Sequence, residues 1–86
     1  MANSPISDLA PDVPDLTAYD RDQMPTYLRL IDAADDGADW REAVEIIFGV
    51  DPNADLERAR AIYDSHLARA RWISAQGYQS LVWPKA

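Results

Sequence analysis

A chain of 86 residues, 48% of them hydrophobic, can bury the core of one small domain and no more. It contains no cysteine, which excludes disulfides and thiolate metal sites, and no apolar run near the roughly 18 residues a membrane span needs. A net charge of −7 argues against sequence-independent binding to nucleic acid or to an anionic membrane.

That charge is uneven. Residues 1–55 hold thirteen acids against three bases, whereas residues 56–86 hold five bases against two acids. A localised contact by the basic C-terminal third is therefore still open. Residues 1–18 read as a flexible N-terminal tail, with Pro5, Pro11 and Pro14 between Asp8, Asp12 and Asp15. Few large apolar groups are there to offset the entropy of ordering. Leu9, Val13 and Leu16 are spaced for a short linear motif that folds on a partner, beside the simpler reading of a solvating tail. Met1 to Asp20 has no basic residue and no apolar core, so a secretory signal is not expected and the cytoplasm is the expected compartment.

Residues 19–86 read as a helical interaction domain. Its first helix is predicted from about Arg21 to Asp36, with Asp20 or Asp22 as N-cap and Pro25 in the first turn. Met24, Tyr27, Leu28, Ile31 and Ala34 give it one apolar face, and Gly37 ends it. Asp39 to Glu42 resembles a capping box, opening a second helix over Trp40–Phe48 that stops at Gly49. That helix is apolar around most of its girth, which predicts a central position between two neighbours. Asp51-Pro52-Asn53 re-caps the chain for a third helix over 54–75. Leu56, Ala59, Tyr63, Leu67, Ala70 and Ile73 form its inward stripe. The last nine residues, with Tyr78, Leu81, Val82 and Trp83, are expected as an arm laid on the core or as a free apolar peptide. The fold class expected is all-α, a three-helix helix-turn-helix-like domain with a disordered N-terminal tail.

No constellation for catalysis stands out. His66 is the lone histidine and lacks convergent partners, so a hydrogen-bonded structural role is expected of it. Asp32, Asp35, Asp36 and Asp39 cluster around Gly37, but their spacing does not suit a calcium loop, and solvation and capping account for them. No cofactor, no metal and no enzymatic activity are expected.

The outer face of the third helix is the candidate binding surface. Arg58, Ser65, Arg69 and Trp72 fall in one sector with small neighbours Ala61 and Ala68, and arginine and tryptophan are enriched at binding hot spots. Neither Arg58 nor Arg69 has an acid at i+4, so both read as free to reach a carboxylate on another chain. Trp72 reads either as an exposed anchor or as a side chain covered by the C-terminal arm. Leu81 and Trp83 of that arm are the next candidates. Arg60, Glu57 and Asp64 pair along another flank as ordinary surface.

Several strings carry a resemblance: Tyr19-Asp-Arg, Tyr27-Leu-Arg-Leu-Ile-Asp-Ala, Gly37-Ala-Asp-Trp-Arg-Glu, Gly49-Val-Asp-Pro, Asp64-Ser-His-Leu-Ala-Arg-Ala-Arg-Trp-Ile and Gly77-Tyr. Over about Asp15 to Leu81 the chain resembles a proteobacterial family of small domains carried on integrative and conjugative elements, and within it the quorum-sensing antiactivators. The resemblance implies binding to transcriptional activators, a LuxR-type quorum-sensing regulator and an activator of element excision, and hence suppression of conjugative transfer. A direct DNA-binding helix-turn-helix regulator is the alternative. Against it, Asp51, Asp55 and Glu57 stand where the third helix would approach phosphate. A toxin-neutralising antitoxin fits size and charge but has no residue signal of its own.

Overall fold

The computed structural model describes residues 8–75; the expected arm, with Leu81 and Trp83, lies outside them. Four helices follow in order: α1 (Ala18–Asp22), α2 (Met24–Asp35), α3 (Trp40–Phe48) and α4 (Leu56–Ala75). The fold is all-α, and the three longer helices pack on one another pairwise. α3, the Gly49 turn and α4 supply the helix-turn-helix-like part.

The predicted first helix is in fact two. Thr17 caps α1: its hydroxyl accepts from the Asp20 backbone N–H, and the Asp20 carboxylate accepts from the Thr17 N–H in return. The chain breaks at Gln23 and restarts with Pro25 in the first turn of α2. Proline has no N–H for the carbonyl four residues back, so a continuous helix through this point would lose a bond.

Two glycines end helices by the same device. Gly37 at φ 80° and Gly49 at φ 70° take the left-handed conformation. The N–H groups of Ala38 and Val50 then return to the carbonyls of Ala33 and Val44, at 3.0 and 3.4 Å. Asp39 stands at the N-cap of α3 but makes no capping bond, so the expected capping box does not form. Its carboxylate lies instead 3.8 Å from Arg41. Asp51 forms a turn with Asn53 N–H at 2.9 Å, and the cap of α4 falls to Asp55, whose carboxylate takes the Arg58 N–H at 3.1 Å.

The core is two clusters along α4. One joins Leu30, Ala43 and Val44 to Ala59, Ile62 and Tyr63. The other joins Tyr27 to Ala70 and Ile73, rimmed by Leu16, Met24, Ile31 and Trp72. α4 therefore buries more than the single predicted stripe: Ile62, His66 and Arg69 also face inward. It has neighbours on two sides, so a stripe drawn for one neighbour is too narrow. Leu56, the first residue of α4, lies beyond both clusters and is exposed. α3 touches both α2 and α4 but leaves Ile46 exposed, so it is less central than its composition predicts.

Candidate partner-binding face

Residues 8–17 form no helix or strand. They run as a strap beside α4, in the same direction, and the four face residues chosen from sequence are the ones they meet. At the leading end, Arg58 Nε donates to Asp8 Oδ1 at 3.0 Å, in solvent. Next, Ala10, which is buried, donates its N–H to Ser65 Oγ at 3.1 Å. Beyond Ser65, Arg69 donates from Nη1 to the Val13 carbonyl at 2.7 Å and from Nη2 to the Asp15 carbonyl at 2.8 Å. A cleft of about 540 Å³ remains between strap and helix, lined by Leu9, Pro11 and Val13 on one side and Ala68, Arg69 and Trp72 on the other.

Arg69 is not the free cation the sequence suggests; it is only 5% exposed. Its Nε and Nη2 form a fork on the two carboxylate oxygens of Asp20, at 3.1 and 2.7 Å. Asp20 is fully buried and also accepts from the Tyr27 hydroxyl at 2.8 Å and from the Thr17 hydroxyl and N–H. Arg69 has no acid at i+4 because its partner lies 49 residues away in this same chain, and no vacancy is left for another one. Trp72 is half-buried, and the Arg69 guanidinium sits 4.3 Å above its ring. Arg58 is not free either, since it holds Asp8, although its side chain stays half-exposed.

The electrostatics follow from burial and pairing. Burial alone pushes the Asp20 carboxyl up, but Arg69, the Thr17 N–H, Tyr27 and the Thr17 hydroxyl together hold it below 3.8. Burial, and then the bond to Asp20, push the Tyr27 phenol up. The bond to Asp20 raises Arg69 further, so the pair stays ionised. A buried pair of this kind is stable only when most of its remaining donors and acceptors are satisfied, and here both Asp20 oxygens and four of the five Arg69 N–H groups have partners.

His66 has the structural role expected of it. It is fully buried. The Ile62 carbonyl, 2.7 Å from Nδ1, can only accept, so Nδ1 carries the proton. Nε2 then accepts from the Tyr19 hydroxyl at 2.6 Å. Burial holds the ring below its ordinary 6.5, in the neutral form.

Sequence reasoning missed Asp20, Tyr27 and Tyr19 as members of this site. The Thr17-x-x-Asp20 spacing was the available signal for Asp20, since it matches a capping box with Asp in the third position. A second surface lies across α4, where Arg60 bridges to Asp64 at 3.0 Å and stacks 4.9 Å over Trp40. Among the described residues no helix is long and apolar enough to cross a membrane. What fold and site define together is a small all-α domain whose longest helix carries a groove already holding an irregular segment of the same chain. No family model matches the chain, and no curated protein matches it.

Proposed function

We propose that this chain is a cytoplasmic QseM-like antiactivator, which binds transcriptional activators and holds them inactive without chemistry of its own. Its targets on this reading are a LuxR-type quorum-sensing regulator and an activator of element excision, and its effect is to suppress conjugative transfer. The observation that carries the reading is the α4 face, where Arg58, Ser65 and Arg69 grip an irregular segment beside Trp72. A surface that binds one segment largely by its backbone has the chemistry to bind another. The identity of the partners comes from the sequence resemblance alone.

Two further observations support binding over the alternatives. Both nitrogens of the only histidine are engaged and buried, which leaves it no proton to exchange with a substrate. Asp51, Asp55 and Glu57 are exposed around the start of α4, where a DNA reader would meet phosphate. The test pairs capture of the purified LuxR-type activator with a DNA gel shift at low salt. Activator capture without DNA retention is expected. Salt-sensitive DNA retention without capture would overturn the reading in favour of a DNA-binding regulator.

A further inference from the structure

We infer that the α4 face is a receptor for an irregular acidic segment bearing large apolar side chains, and that residues 8–15 are a built-in occupant which such a segment displaces. The inference rests on the antiactivator reading, since it names the chemistry of the activator segment taken by that same face.

The strap shows what the face grips. Arg69 holds the carbonyls of Val13 and Asp15, two residues apart, and Ser65 holds the N–H of Ala10. Those groups are backbone, so any residue on the same path supplies them, except that proline has no N–H to give Ser65. Only Arg58 holds a side chain, the carboxylate of Asp8. Charge adds to this pattern at one end: the strap carries Asp8, Asp12 and Asp15, and Arg58 stays half-exposed beside Asp8, whereas Arg69 is already paired with Asp20.

The strap is also a poor fit in one respect. Its largest apolar side chains line the cleft without filling it: Leu9 is 64% exposed and Val13 is 47% exposed. Only Ala10, with a single methyl, is buried. The cleft over Ala68 and Trp72 stays open between strap and helix. The occupant is therefore held by polar contacts, the outermost of them an exposed ion pair of small worth. A segment on the same path that turns a large apolar side chain into the cleft gains burial that the strap leaves unused. That difference is what lets a partner win against a tethered competitor, whose effective concentration is on the order of millimolar.

The test titrates the isotope-labelled full chain with a synthetic peptide of residues 6–16, following the amide shifts of Ser65, Ala68 and Trp72. Wild type should respond weakly, because the tethered strap competes. Ala10→Pro removes the N–H given to Ser65 and leaves α4 untouched, so it should bind the peptide about tenfold more tightly. Asp8→Arg breaks the exposed end alone and should shift affinity in the same direction, which covers the case where Ala10→Pro impairs folding. Folded variants whose three amides ignore the peptide overturn the inference. So does dimerisation of either variant in sedimentation without a response to peptide, which would give the face to a second copy of the chain. Saturating peptide should also release a captured LuxR-type activator from Asp8→Arg. Capture that persists under saturating peptide overturns this inference and leaves the antiactivator reading standing. Peptide binding with no activator capture by any form keeps the receptor face and overturns the antiactivator reading.

Discussion

From Ala59 to Tyr63, α4 is held by apolar burial against Leu30, Ala43 and Val44. From His66 to Trp72 a polar network is added to the second apolar cluster: His66 against Tyr19, Arg69 against Asp20 and two strap carbonyls, and the Arg69 guanidinium over Trp72. The first region depends on area removed from water, which has no direction and degrades gradually. The second depends on a connected set of donors and acceptors, and losing one member strands the rest. The two halves of one helix should therefore fail in different ways.

The largest expected effect comes from Arg69→Ala. It leaves the Asp20 carboxylate buried without its cation and two strap carbonyls without donors. A loss of about 3–5 kcal/mol is expected in urea unfolding. Arg69→Lys should recover only part of it, because an ammonium cannot form the fork on Asp20. A loss under about 1 kcal/mol for Arg69→Ala would break the comparison.

Acid should act on the polar half alone. His66 is depressed below 6.5, so its contribution is complete above that pH and starts to fall below it, where the unfolded chain takes up a proton. Asp20 is depressed below 3.8, so its contribution persists to lower pH and is lost as pH falls through the lowered value. Thermal melts across pH 8 to 2 should thus decline in two stages. In Arg69→Ala the lower stage should reverse, since burial then raises Asp20 and protonation relieves it.

Ile62→Val removes one methylene from the apolar half. It should cost about 1 kcal/mol and leave the shape of the pH profile unchanged. Arg58→Ala, at the solvent end of the strap, should shift urea stability by no more than about 0.5 kcal/mol. A larger loss would mean that the strap contributes more to the fold than its exposed contact suggests.

The apolar half was legible in the sequence. Trp40–Phe48 and the stops at Gly37 and Gly49 follow from periodicity and glycine placement, and the structure has them. The polar half was not, because periodicity assigns Asp20 and Arg69 to solvent by type. Nothing at helical spacing from Arg69 announces a partner, since α2 and α3 lie between the two in the chain. Arg58, Ser65, Arg69 and Trp72 were correctly grouped on one side of α4. That the chain's own strap lies along that side needed the tertiary structure, as backbone carbonyls leave no trace in a sequence pattern.

The separations in sequence carry a further consequence, for the order of folding. Val44 and Ile62 meet across a short turn, whereas Arg69 must find Asp20 across 49 residues and Val13 across 56. Closing a long loop costs entropy before its contacts form, so the α3–α4 hairpin should assemble first and the Arg69 clasp last. Arg69 variants should then unfold faster while folding at nearly the wild-type rate, and Ile62→Val should slow folding itself. Stopped-flow chevrons would separate the two limbs, and a clasp formed after the barrier sets how long each folded molecule survives.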